Sequence, residues 1–222
     1  MKKLIQKDWL IWLILIAPFA VIAYYWNQFP DRIPVRWDIN GEPEDYSNKT
    51  LGLFLMPVLS LLIYGMFKAL PYIDPKKYNY KYFEGKWHVL QLVILSFMAA
   101  MAIASFYVAL GYNIKMDKVA QFGVPLLMLI MGNYLSSIRP NYFIGIRTPW
   151  TLHNEQVWVK THRLTGKLWV AASLIMIIIN LFIPFSDAIL ISYLAALVLP
   201  PYIYSYLLFR KYEKNTTNHF ML

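Results

Sequence analysis

The chain has 222 residues, of which 59% are hydrophobic and 15% are charged. Ordinary globular domains are about 45–50% hydrophobic and about 25% charged, so the composition excludes a soluble fold of this size and also a disordered chain. The absence of cysteine excludes disulfides, thiolate metal sites and thiol catalysis.

Six charge-free runs each approach the roughly 20 residues that a helix needs to cross a bilayer. Soluble helices would carry charges along an outer stripe with a period near 3.6 residues, and these runs carry none. We therefore predict an all-α integral membrane protein that forms a single membrane domain with six transmembrane helices. The predicted spans cover about 9–26, 50–67, 89–112, 119–138, 168–185 and 188–209.

The distribution of basic residues predicts the orientation. With the N-terminus inside, sixteen of the 21 Lys and Arg residues fall in inner segments and five in outer segments. The positive-inside rule then places both termini in the cytoplasm. The net charge of +9 is thereby explained by topology, and we expect no direct binding to nucleic acid. The spans hold no Asp, Glu, Lys or Arg, which disfavours a proton-coupled transporter.

The first outer segment, residues 27–49, is predicted to fold as a small hairpin-like cap. Its three prolines prevent a continuous helix. Apolar and charged residues alternate along 35–39 as in a half-buried strand, and the following Asn-Gly pair favours a type I′ turn. The segment is either an ordered connector or a surface that meets a ligand outside the cell. Its candidate binding residues are Arg36, Trp37, Asp38, Asn40 and Gly41.

The inner segment 139–167 is predicted to carry an interfacial cytoplasmic helix. Thr151 is a candidate N-cap for a helix over about 152–164. One face of that helix would be mainly apolar and the other basic, which is typical of helices that lie in the membrane interface. Its first face would hold Val157, Trp158, Thr161 and Leu164. The segment either guides the chain into the fifth span or docks lipid phosphates or a cytoplasmic protein, with Arg139 and Arg147 as donors.

The polar residues give little sign of catalysis. His153, Glu155 and His162 could in principle form a metal site, but a spacing of nine between the histidines fits no single helix face. No nucleophile elbow, P-loop or dinucleotide-binding motif occurs. We therefore expect no cofactor, no metal and no enzymatic activity.

Two motifs in the chain resemble known bacterial families. The run PDRIPVRWDINGEPEDYSNK resembles the extracytoplasmic signature of a membrane domain of unknown function, with Arg36 where that pattern commonly has His. The run RPNYFIGIRTPWTLHNEQVWVKTHRLTGKLW resembles the hallmark of the SdpI family. The matching positions are Arg139, Pro140, Asn141, Gly145, Ile146, Arg147, Thr148, Pro149, Trp150, Thr151, Leu152, Trp158, Thr161 and His162.

The resemblance implies a multi-pass protein of the bacterial plasma membrane that gives immunity against a secreted peptide toxin. It also implies a signalling role in which the membrane protein captures a cytoplasmic repressor. Expected partners are thus the lipid bilayer, a toxin outside and a regulator inside. The inner binding residues that it suggests are Arg139, Asn141, Gly145, Arg147, Thr148, Trp150, Trp158 and His162. A membrane enzyme or lipid-handling protein, using the Arg-rich inner loop on phosphate head groups, is the alternative.

Overall fold

The computed structural model describes residues 8–220, and side chains to residue 213. Over these residues the protein is mostly helical, with one β-hairpin and one 3₁₀ helix. The helices are α1 (Trp9–Tyr25), α2 (Lys49–Ile73), α3 (Glu84–Ala109), α4 (Met116–Leu135), α5 (Pro149–His153), α6 (Glu155–Phe182) and α7 (Asp187–Phe220); the strands are β1 (Arg32–Trp37) and β2 (Pro43–Asn48); the 3₁₀ helix is Lys77–Tyr82. The predicted cytoplasmic lysines Lys2, Lys3 and Lys7 lie outside the described residues.

Five of the described helices are long and apolar enough to cross a membrane, and α1 is a shorter apolar helix. Only 22–28% of the residues in the most apolar stretch of each long helix are buried inside the protein. The remaining apolar surface is too large for water, so it must be covered by lipid. The prediction of a helical, multi-pass membrane protein is confirmed in this form.

The chain divides into two compact units. The first contains Met1–Ala69 and His88–Leu127, and the second contains Leu70–Trp87 and Met128–Leu222.

The core of the first unit contains two apolar clusters. Ile11 and Leu15 of α1 pack with Tyr64 of α2 and Leu95 of α3. The two α1 residues are four apart and therefore lie on one helix face. A second cluster extends the apolar core as far as the hairpin. Its buried members are Ile22, Phe29, Ile33, Leu53, Ala102 and Phe106.

The hairpin of the first unit is an irregular antiparallel pair. Ile33 pairs with Ser47, and the register shifts between Pro34 and Trp37. Ile33 is fully buried and lies so close to Gly52 of α2 that a Cβ added there would come within 2.6 Å of the Ile33 Cβ. The hairpin is thus held against the first turns of α2.

The turn of this hairpin differs from the predicted type I′ turn. A type I′ turn needs positive φ at both central residues, but Gly41 has φ 81° and Asn40 does not have a positive φ. Asp38 N–H donates to Glu42 O (2.9 Å), and Gly41 N–H donates to Asp38 O (3.1 Å). These bonds close a three-residue loop, so the type I′ prediction was wrong.

In the second unit, the prediction of a separate interfacial helix was wrong. The segment 155–164 is the first part of α6, which continues without interruption to Phe182. A segment that continues straight into a spanning helix cannot lie separately in the membrane plane. The N-cap is also different: Asn154 caps α6 by accepting from Gln156 N–H and Val157 N–H, whereas Thr151 lies within the short α5.

Polar bonds join α6 to α7 in the second unit. Trp169 Nε1–H donates to Leu197 O (2.9 Å), and the Ser173 and Tyr193 hydroxyls are 2.9 Å apart. Interhelical hydrogen bonds of this kind add about 1 kcal/mol each in membrane proteins. They hold α6 and α7 together as an antiparallel pair.

Candidate functional site

The loop of residues 139–148, here called the RPN loop, is shaped by the side chain of Asn141. This residue has no exposed surface. Its Oδ1 accepts from the N–H groups of Phe143 (2.9 Å) and Ile144 (2.7 Å), and its Nδ2 donates to the carbonyls of Arg139 and Ile144. An Asn side chain in such bonds imitates backbone in a tight turn, so Asn141 fixes the loop rather than presenting its amide to a ligand.

His162 of α6 closes the other half of the RPN loop. Its Nε2 accepts from the Ile146 N–H (3.0 Å), and its Nδ1 lies 2.8 Å from the Trp158 carbonyl oxygen. An acceptor at Nε2 and a carbonyl at Nδ1 require the neutral ring with its proton on Nδ1. The ring is fully buried, so both nitrogens are used inside the protein.

Gly145 is where the RPN loop passes over this imidazole. Its φ is +106°, and a Cβ added to it would overlap His162 Nε2. Only glycine therefore satisfies both the backbone conformation and the space above the ring.

Trp158 supports His162 from the preceding turn of α6. The indole stacks on the imidazole with ring centroids 4.1 Å apart and an interplanar angle of 18°. Its Nε1–H donates to Ile138 O (2.9 Å), which ties α6 to the segment that follows α4. Val157 and Thr161 are also fully buried, but Leu164 is 37% exposed, so the predicted face is only partly the packed one.

Thr148 joins the RPN loop to both neighbouring helices. It caps α5 by accepting from Thr151 N–H, and its hydroxyl lies 3.1 Å from the Ser205 hydroxyl of α7. Trp150, two residues later, packs edge-on against Tyr202 of α7, with the ring centroids 5.2 Å apart. The end of the RPN loop and the start of α5 are therefore fastened to α7.

The two arginines of the RPN loop are the candidate residues that remain exposed. Arg147 Nη1 donates to Tyr142 O (2.9 Å), and the Arg139 guanidinium lies 6.0 Å from the Tyr82 ring centroid. Each makes one contact within the described part of the protein that leaves other N–H donors available. Of the predicted inner residues, these two are the exposed ones, and the others are buried or half-buried within the second unit.

A buried carboxylate in the same unit escaped the sequence analysis. Asp74 is 1% exposed and accepts from Tyr142 N–H (3.1 Å), Lys76 N–H (2.7 Å) and the Tyr80 hydroxyl (3.1 Å). Burial, with the Asp74 charge beside it, raises the pKa of Tyr80. Asn79 adds a bond to Pro140 O (2.7 Å). The segment 74–82 is thereby attached to the RPN loop, and only its Asp-Pro turn signal pointed to order there.

The hairpin brings the predicted cap residues together around one turn. Asp38 Oδ1 accepts from the N–H groups of Asn40 (2.9 Å) and Glu42 (2.8 Å), and the Glu42 bond is the main cause that lowers the pKa of Asp38. Arg36 forms an exposed ion pair with Glu44 (3.1 Å). Gly41 lies against α4, since a Cβ there would be 2.6 Å from the Asp117 backbone nitrogen.

Trp37 is the cap residue with an unsatisfied group. Its indole Nε1 is buried and has no hydrogen-bond partner among the residues that the structure describes. The hairpin surface that remains exposed is therefore carried mainly by β2, where Glu44, Asp45 and Tyr46 are all exposed.

A second buried ionic cluster lies in the first unit. Asp8 is 3% exposed, and its carboxylate contacts Lys68 Nζ (2.6 Å), His88 Nδ1 (3.2 Å) and the Tyr64 hydroxyl (3.2 Å). Sequence analysis missed it because its members come from three different helices or their ends: Asp8 just before α1, Tyr64 and Lys68 on α2, and His88 on α3. The cluster fastens the start of α1 to α2 and α3.

Neither cluster is arranged as a metal centre. Within residues 8–213, no group of three or more His, Asp or Glu side chains could hold a metal ion. His153, Glu155 and His162 do not form a ligand set, because both nitrogens of His162 are occupied by the backbone.

Two known families match different parts of the chain. Residues 137–205, which contain the RPN loop, α5, α6 and most of α7, match the SdpI/YfhL protein family. Residues 13–61, which contain most of α1 and the hairpin, match a domain of unknown function (DUF1648).

One curated relative aligns with most of the chain. The Immunity protein SdpI of Bacillus subtilis (strain 168) is 27% identical over 177 residues, which are 80% of this chain and 83% of that protein. The resemblance to the SdpI family seen in the sequence is therefore confirmed. No solved structure matches the chain significantly.

Proposed function

We propose that the chain is a membrane immunity protein that protects a bacterial cell from a secreted peptide toxin. The observation that carries the proposal is the 27% identity to an immunity protein across 83% of that protein's length. A match over 177 of the 222 residues must include the RPN loop, so it is not a similarity of apolar helices alone. Immunity in this proposal is a binding function and needs no catalytic group.

The proposal includes six spans, with both termini in the cytoplasm. It places the hairpin of residues 32–48 outside the cell and the RPN loop inside. The absence of native cysteines makes single-cysteine labelling clean. Thiols introduced at the exposed positions Asn48 and Lys118 should react with an impermeant reagent on intact cells. Thiols at the exposed positions Lys77 and His153 should react only after lysis, and the reverse pattern would contradict the orientation.

The exposed strand β2 is the proposed surface for the toxin. It carries Glu44, Asp45 and Tyr46, which are all exposed, and Tyr46 is 49% exposed. Aromatic side chains are enriched at binding hot spots, and the acidic neighbours suit a basic peptide. Tyr46→Ala should lower survival under toxin, while the matched change Tyr78→Ala, at a 61% exposed tyrosine on the 3₁₀ helix, should not. Equal survival of both variants at equal membrane levels would remove the hairpin from the toxin site.

The exposed arginines of the RPN loop are the proposed contact for a cytoplasmic regulator. Their guanidinium groups have donors left for a carboxylate or phosphate partner. Arg139→Ala with Arg147→Ala should abolish induction of a reporter controlled by that regulator, and Arg147→Lys should weaken it because lysine lacks the planar fork. Full reporter induction in the double variant, at normal membrane level, would refute the contact.

A further inference from the structure

A groove of about 450 Å³ opens in the second unit between the end of α4 and the first half of α6. Gly132 and Asn133 line it from α4, and Arg163, Gly166 and Lys167 line it from α6. None of these residues belongs to the RPN loop or to the hairpin. The groove is therefore separate from the surfaces that the immunity proposal uses.

Two glycines set the width of the groove at its base. A Cβ on Gly166 would lie 2.7 Å from Gly132 O, and a Cβ on Gly132 would lie 3.0 Å from Gly166 O. The two backbones therefore touch at this crossing, as small residues allow in membrane helices. On the open side of the crossing, the larger neighbouring side chains leave a space that the protein does not fill.

The chemistry of the groove changes along its length. Arg163 and Lys167 are four residues apart on one face of α6, and both are exposed. Salt bridges among the described residues involve neither of them. Beyond Lys167 the same face continues with Val170, Ala171 and Leu174.

The length of this arrangement matches a lipid rather than a small anion. From Arg163 to Leu174 the helix rises about 16 Å at about 1.5 Å per residue. The charge-free part of α6 starts at residue 168, so Arg163 and Lys167 lie at head-group depth and the apolar part lies among the acyl chains. A free phosphate would use only the first third of the groove.

We propose that this groove is a binding site for an anionic phospholipid. Arg163 and Lys167 hold the phosphate head group, Asn133 offers an amide beside it, and one acyl chain lies along Val170, Ala171 and Leu174. The two cations distinguish an anionic from a zwitterionic lipid, because the latter brings its own positive charge to the same place. The site is independent of toxin protection and of the RPN loop.

Native mass spectrometry of the full chain in detergent tests the site, with phosphatidylglycerol and phosphatidylcholine as probes. Phosphatidylglycerol should bind more tightly than phosphatidylcholine. Arg163→Gln with Lys167→Gln should weaken phosphatidylglycerol binding by about tenfold or more, since each cation near an anionic lipid contributes about fivefold. The matched control, Arg139→Gln with Arg147→Gln, removes the same charge from the RPN loop and should change the affinity by less than about twofold.

A second pair of variants tests the acyl part without changing charge. Ala171→Phe fills the exposed apolar floor of the groove and should weaken phosphatidylglycerol binding, whereas Ala100→Phe adds the same ring at an exposed alanine of α3 outside it. The four positions changed in the charge variants are all exposed, so these substitutions should leave the fold intact. An unchanged elution profile checks this. Equal binding of the two lipids, loss in the RPN-loop control instead, or full binding by Ala171→Phe would each overturn the site.

Discussion

Gly145→Ala should destabilise the second unit far more than an ordinary glycine-to-alanine change. The added Cβ would overlap Nε2 of the buried His162 ring, so the RPN loop must move away from α6. That movement breaks the bond from Ile146 N–H to Nε2. The variant thus combines a backbone cost with the loss of a buried hydrogen bond.

The magnitude follows from these two costs. A residue with a Cβ in the left-handed region costs about 1–2 kcal/mol, and leaving a buried donor unsatisfied costs about 1–3 kcal/mol. The sum is about 2–5 kcal/mol. Gly111 is the matched control, because its φ is +89° and a Cβ there would meet nothing within 4 Å. Gly111→Ala should therefore cost only the backbone part.

The assay is reversible unfolding of the purified chain in mixed micelles, followed by tryptophan fluorescence. The double variant Gly145→Ala/His162→Ala isolates the contact, since removing the ring removes the overlap. It should cost less than the sum of the two single changes, as contacting residues do. Equal costs for the Gly145 and Gly111 variants, together with additivity in the double variant, would refute the proposed packing of Gly145 on His162.

Three further changes test other contacts by the same unfolding measurement. Asp74→Asn should cost about 1–3 kcal/mol, because an amide nitrogen replaces one of two oxygens that accept from backbone and hydroxyl donors; no loss would refute the role of Asp74 in fastening the RPN loop. Trp158→Phe should cost a similar amount by leaving Ile138 O without its donor, and an unchanged stability would show that this bond contributes nothing. Gly41→Ala should cost more than the control change at Gly111, since its Cβ would meet Asp117; equal costs would contradict that contact.

The sequence was sufficient for the helices because the membrane imposes a simple rule. Charge-free runs must be spanning or buried, and each predicted run overlaps a described helix, of which five are long and apolar enough to cross a membrane. The interfacial helix was misjudged because its amphipathic pattern was read without its continuation. No proline stands between Glu155 and Phe182, and Asn154 is a good N-cap, so nothing ends the helix before the span.

The candidate site was predictable as a set of residues but not as a set of roles. The sequence motif identified Asn141, Trp158 and His162 as candidate binding residues. Only the fold shows that their polar atoms form hydrogen bonds within the protein. Asp74 belongs to no motif, and the partner that joins it to the RPN loop, Tyr142, lies 68 residues away in the chain. Long-range bonds of this kind have no periodic signature in a single sequence.

Protection of living cells by the unaltered chain decides whether it is an immunity protein. The chain is expressed in a Bacillus subtilis strain that lacks its Immunity protein SdpI, beside the relative itself and an empty vector, and survival is measured in the presence of a toxin against which the relative protects. Membrane levels are matched by an epitope tag. An immunity protein should give survival well above that with the empty vector. Survival equal to the empty vector, at a membrane level equal to that of the relative, would contradict it.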